Sequence, residues 1–281
     1  DDPIYEGKTF KKPDNYGRKF GEHFSKQSKQ DRQYERFYSW NYADKYDEVM
    51  ATYHQQIYAI DVAVGMIRKA LQESGSDKNT VIIYTSDNGF FCGSHGYGSK
   101  VLPYEESSRV PLVIYDPRHP NSGKKFRTSA LTGNVDFAPT ILRLAGLSVP
   151  RNMDGKDLMQ VYDDPRIPHH SSLPLINVWG KAPTHMLGIV TEKMKYLYWG
   201  YAGEGFNVTE ELYNLKKDPM ELYNQIGNRK YKQSLKHLRK LYDQQLAHWK
   251  KESVPYNDYQ RFSLLFDRNL PWLSEKASKW K

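Results

Sequence analysis

Seven apolar side chains, Val49, Tyr53, Ile57, Ile60, Val64, Ile67 and Leu71, step along the chain by four, four, three, four, three and four residues. That spacing puts all seven on one face of a single long helix between Tyr46 and Leu71. A turn-forming stretch, ESGSDKN, leads from it into VIIYTSDNG, where Val81, Ile82, Ile83 and Tyr84 read as a buried strand. RVPLVIYDP is a second strand, stopped by Pro117. Helix, strand, loop and strand in this order predict an α/β sheet with helices on its faces. A chain of 281 residues has room for one large domain, or for one domain with a smaller companion.

The rest of the chain divides by pattern. VDFAPTILRLAG is a short helix with Gly146 in the place of a C-terminal cap. DDPRIPHHSSLP is rich in Pro and Ser and marks a boundary, so we expect domains over 1–168 and 169–281. Beyond it, MLGIVTEKMKYLYWG reads as two strands around a turn and EELYNL as another. A helix follows from about 230 to 251, carrying Leu235, Leu238, Leu241, Leu246 and Trp249. Residues 1–40 are polar and aperiodic and read as an extended surface segment. The tail after Pro255 has isolated aromatics and no period.

The strand over 81–84 runs into Asp87 and Asn88. In open α/β sheets, ligands bind beyond the carboxyl ends of strands. An Asp carboxylate beside an Asn carbonyl offers hard oxygen ligands suited to Ca²⁺ and less to Mg²⁺. Taken alone, D-N-G is more often a turn than a metal site. The formal charge of +8 suits anionic partners. The basic residues are scattered, with no arginine-rich arm or zinc-finger pattern, so nucleic acid is not the expected partner. No apolar run approaches the roughly 20 residues of a membrane span. Cys92 is the single cysteine and cannot form an intrachain disulfide.

TSDNGFF, then G-S-H-G, then Lys100, then YEESSRVPLVIY resembles the type I sulfatase family of the alkaline-phosphatase-like superfamily. The resemblance continues through VDFAPTILRLAG, KMKYLYW and ELYNLKKDPMELYN, over roughly residues 45–245. It implies the C-terminal part of a sulfatase α/β domain, followed by a small α+β subdomain with an antiparallel sheet and a C-terminal helix. It implies that Asp87 and Asn88 are two of four ligands to a divalent metal, Ca²⁺ in the first place. Lys100 matches the lysine that grips the sulfate oxygens, where an ammonium neutralises developing charge. His95 matches a histidine near the substrate, able to donate a hydrogen bond or protonate a leaving oxygen. Glu105 and Arg109, four residues apart, are expected to pair with each other and shape the loop. The implied substrates are sulfated carbohydrates or aryl sulfates, and the implied compartment is periplasmic, secreted or lysosomal.

The resemblance also shows what the chain lacks. A sulfatase nucleophile is a formylglycine made from a C/S-x-P-x-R motif. Cys92 is followed by Gly-Ser-His, and Ser148-Val149-Pro150-Arg151 continues with Asn152, so we read the latter as a loop. Asp1-Asp2 has no apolar strand before it and is not the family's paired Asp ligands. The expectation is therefore a sulfatase portion that needs an N-terminal half to complete its site. Two rival readings stand beside it. One is a phosphoryl or phosphonate hydrolase of the same superfamily. The other is a non-catalytic protein that holds anionic glycans on its basic surface.

Overall fold

A computed structural model of the chain describes residues 3–272, so Asp1-Asp2 lies outside the described residues. The elements in chain order are α1 (Arg32–Ser39), α2 (Tyr46–Glu73), β1 (Ile82–Thr85), α3 (Glu105–Ser108), β2 (Leu112–Tyr115), α4 (Phe137–Leu144) and α5 (Met159–Asp163). They continue with β3 (Leu173–Asn177), β4 (Met186–Val190), β5 (Met194–Trp199), β6 (Thr209–Asn214), α6 (Lys232–Glu252) and α7 (Phe262–Leu265). The chain divides into two units. The first holds the described residues up to Pro13, with Tyr38–Asp87 and Val110–His169. The second holds Asp14–Phe37, Asn88–Arg109 and the described residues from His170 onward.

In the first unit the apolar stripe forms α2 as its spacing predicts, yet only Tyr46 and Met50 of that helix are buried. Met66 is 68% exposed and Ile67 57%. Strands β1 and β2 pair antiparallel, with Ile83 opposite Ile114. Along β2, Leu112 and Ile114 are half-buried while Val113 and Tyr115 face out, the alternation of a sheet covered on one side. Helix α4 ends as its glycine predicts. Gly146 adopts φ 73°; its N–H donates to the Arg143 carbonyl at 3.0 Å, and the Leu147 N–H donates to Leu142 at 2.8 Å. These two bonds make a Schellman cap. The Ser148–Asn152 stretch is irregular, as read.

The second unit is built on an antiparallel sheet in the order β3-β4-β5-β6. Every residue of β5 is buried, so both faces of the sheet are covered. Alternate residues divide between the two faces. Leu187, Ile189, Tyr196, Tyr198 and Leu212 pack with Leu238, Tyr242 and Leu246 of α6 and with Phe262, Leu265 and Phe266. Met186, Leu197, Trp199 and Tyr213 pack on the other face with Phe24, Phe91, Tyr97, Leu102 and Tyr104.

One expectation is corrected. Residues 15–37 are not an extended surface segment: they form short helical turns and α1, and Phe24 stacks on Tyr104 with ring centroids 3.7 Å apart. Their polar composition hides this because the polar groups are satisfied inside the fold. The Ser25 N–H donates to Glu211 at 2.9 Å and the Gln27 amide donates to the Tyr201 carbonyl at 3.1 Å. The aperiodic tail supplies α7, whose Phe262 and Leu265 are buried. Strand β3 begins at the end of the Pro- and Ser-rich stretch, as an edge strand where Pro174 is tolerated.

Candidate functional site

The DNG turn falls where the chain passes from the first unit to the second. Asp87 closes the first unit, two residues beyond β1, and its side chain is exposed. The Asn134 amide donates to its carbonyl at 3.2 Å and holds the strand end in place. Asn88 opens the second unit, half-buried. Within that unit the Lys100 ammonium donates to Asn88 Oδ1 at 2.7 Å. Two of the residues read from the sequence therefore meet directly. An amide oxygen that bears an ammonium is already aimed at positive charge.

Backbone contacts set this pair. The Gly89 N–H donates to the Ser107 carbonyl at 2.8 Å, and the Phe91 N–H donates to Ser99 at 2.8 Å. A Cβ on Gly89 would lie 2.1 Å from the Glu106 carbonyl oxygen, so only glycine allows this approach. Segment 88–91 is thus pressed against 99–107, which carries Lys100.

His95 is fully buried. Its Nδ1 lies 2.9 Å from the Phe20 carbonyl, and its Nε2 lies 2.9 Å from the Asn15 amide and 3.4 Å from Glu106. The Asn15 amide also donates to Glu106 at 2.5 Å. Burial alone would lower the imidazole, but the Glu106 hydrogen bond and charge outweigh it and raise His95 above its ordinary value. Burial would likewise raise Glu106, and His95 holds that carboxyl below its usual range. Asn15, His95 and Glu106 form a charged internal brace. Burial pushes the Cys92 thiol up to about 12, which leaves it unreactive at neutral pH.

Glu105 does not have the partner its spacing suggests. Its carboxylate lies 2.8 Å from Lys195 Nζ on β5, not against Arg109. Lys195 is fully buried and also lies 2.8 Å from Glu221 and 2.8 Å from the Pro103 carbonyl. The second Glu221 oxygen accepts the Glu105 N–H at 2.7 Å. Burial would lower Lys195, but the two carboxylates raise it and keep it charged. Next to them Glu211, also buried, accepts hydrogen bonds from Tyr213 at 2.7 Å and Tyr104 at 3.1 Å. Sequence reasoning missed Lys195, Glu211 and Glu221 as a group. The only sign was their place in KMKYLYW, EELYNL and DPMELYN, each of which also reads as ordinary strand or turn.

The sulfatase family model matches residues 9–147, and the model for the C-terminal region of N-sulphoglucosamine sulphohydrolase matches 93–248. An N-acetylglucosamine-6-O-sulfatase of Bacteroides thetaiotaomicron is 30% identical over 256 residues, covering 88% of this chain and 44% of that protein. An arylsulfatase of Clostridium perfringens is 34% identical over 192 residues, covering 68% of this chain and 38% of that protein. The chain thus spans less than half the length of these relatives. Among solved structures, a complex with its substrate D-glucosamine-2-N,6-O-disulfate superposes with TM-score 0.67 at 31% identity, over 74% of this chain and 42% of that one. A phosphonate monoester hydrolase of Agrobacterium radiobacter superposes with TM-score 0.62 at 27% identity, over 72% and 42%.

Proposed function

The chain belongs to the type I sulfatase family, and from that premise we propose that it carries the sulfate-gripping side of a sulfate-ester hydrolase acting on sulfated glycans. The observation that carries this reading is the Lys100 ammonium seated on Asn88 Oδ1. In the complete enzyme Lys100 neutralises charge that builds on the sulfuryl oxygens, and it does so more strongly in the transition state than in the ground state. Asp87 and Asn88 would hold a divalent cation, Ca²⁺ by their hard oxygen donors. The fit is partial: they supply two ligands, and Ca²⁺ takes six to eight oxygens. A cation bound there would supply a Lewis acid for the sulfate oxygens. Buried within its brace, His95 contributes by fixing segment 94–96. The sulfated-sugar substrate is supported by the relatives named for N-acetylglucosamine-6-O-sulfate and bound to glucosamine disulfate.

The test is Lys100→Ala in the full-length enzyme, assayed on a sulfated glucosamine and on a phosphonate monoester. Loss of one such donor should lower kcat by about 10²–10³ with folding and metal content unchanged. Lys100→Arg should rescue in part, because a planar fork does not replace a compact charge. Lys124→Ala should be neutral, since Lys124 lies in an exposed turn, where it donates to Asn121 and lies over the Phe126 ring. An unchanged rate for Lys100→Ala overturns the assignment, and turnover of the phosphonate alone overturns the reaction class.

A further inference from the structure

We propose that Lys195 and Glu221 are positioning residues: their buried ion pair with Glu105 holds the loop that sets Asn88 for the cation and Lys100 for the anion. The proposal rests on the reading of Lys100 and Asn88 given above and extends it to residues that touch neither metal nor substrate.

The geometry runs in one direct line. Lys195 Nζ grips the Pro103 carbonyl and the Glu105 carboxylate, each at 2.8 Å. Glu221 takes the Glu105 N–H at 2.7 Å and lies 2.8 Å from Lys195. Tyr104, between them, is fixed by Glu211 and by its stack on Phe24. Residues 103–105 are therefore held at three consecutive positions. Glu105 opens α3, and the Ser107 carbonyl on that helix receives the Gly89 N–H. Asn88 is the next residue, and Lys100 closes the circuit onto its side chain.

The chemistry argues for a device and against a filler. A charged trio inside a core is costly to desolvate, and well-packed apolar residues would serve stability as well or better. What an ion pair adds over an apolar contact is direction, because each oxygen and each N–H accepts one geometry. Glu221 itself sits at φ 53°, a left-handed backbone that places its carboxylate under Glu105. Its carbonyl is held by His23 at 2.7 Å. The cluster thus ties the anion-gripping loop to the most buried strand of the sheet.

The test is amide exchange in the 281-residue chain, read by NMR at Gly89 and Phe91 with the β4–β5 amides as reference. Lys195→Met/Glu221→Gln removes the pair without stranding a charge on Glu221. In it, protection at Gly89 and Phe91 should fall by at least about tenfold while the reference amides change less than about threefold. Acylation of the Lys100 amine, measured by mass spectrometry against Lys124, should rise in step. Lys195→Arg keeps the charge with a different reach and should restore protection in part. If the double variant does not fold, Lys195→Arg alone decides: protection at Gly89 and Phe91 that falls more than that of the reference amides supports the proposal, and an equal change overturns it. Protection at Gly89 that stays unchanged, or falls equally with the reference amides, overturns the proposal. None of these readouts needs turnover, so they fail or succeed independently of Lys100→Ala.

Discussion

At the level of single residues, the second unit concentrates its ionisable groups in a dry interior. Burial lifts the Glu221 carboxyl to about 7, with Glu105 and Glu106 adding to the rise and Lys195 opposing it. Below about pH 7 the folded chain therefore holds a proton that the unfolded chain, with an ordinary Glu value of about 4.3, has released, and above it Glu221 is the ionised partner of Lys195. The sign follows: this group's contribution to stability is fully present below about pH 4.3 and is lost as pH rises through about 7. Melting temperature followed from about pH 5 to pH 8 should fall less steeply in Glu221→Gln than in the parent chain. An identical slope in both would show that Glu221 titrates normally. That Asp87 and Asn88 stand at a strand end was legible in the sequence, because D-N-G follows a run of strand-forming residues. The Lys195 partnership was not legible, since 90 residues separate it from Glu105 and no periodicity links them.

At the level of elements, the two long helices look alike in pattern and differ in what they bury. Helix α6 carries Leu238, Tyr242 and Leu246 into a core that also holds α7. Leu238→Ala should cost about 2–5 kcal/mol, read from denaturant midpoints, because it leaves a cavity in packed surroundings. Ile67→Ala on α2 should cost less than about 0.5 kcal/mol, because Ile67 is 57% exposed. Equal losses would mean that α2 is as well packed as α6. Gly146→Ala should cost about 1 kcal/mol through backbone strain alone, since a Cβ there meets no atom within 4 Å. Hydrophobic period identified both helices, but period records which face is apolar and not whether anything covers it.

At the level of the whole molecule, apolar surface is unequally distributed. Ile57, Ile60, Met66 and Ile67 of α2 and Val113 and Tyr115 of β2 are exposed, while Val81 and Ile83 are half-buried. Among the described strands, β1 and β2 pair only with each other. Such a surface and such sheet edges favour association. The isolated chain should bind a hydrophobic dye and self-associate in sedimentation, and a dye-silent monomer would contradict this. It should also bind Ca²⁺ weakly in calorimetry and turn over aryl sulfates only at background, because two ligands and no formylglycine motif are present. The sequence by itself determined α2, α4 and α6, strands β1, β2, β4, β5 and β6, the Gly146 cap and the strand-end position of Asp87 and Asn88, because these depend on neighbours within one or two turns of chain. Only the tertiary structure decided that residues 15–37 line a core, that the tail supplies α7, and that Glu105 belongs to Lys195. The reason is physical: burial of a polar segment and the choice of an ion-pair partner depend on which groups meet across long separations, and such meetings leave no local period to read.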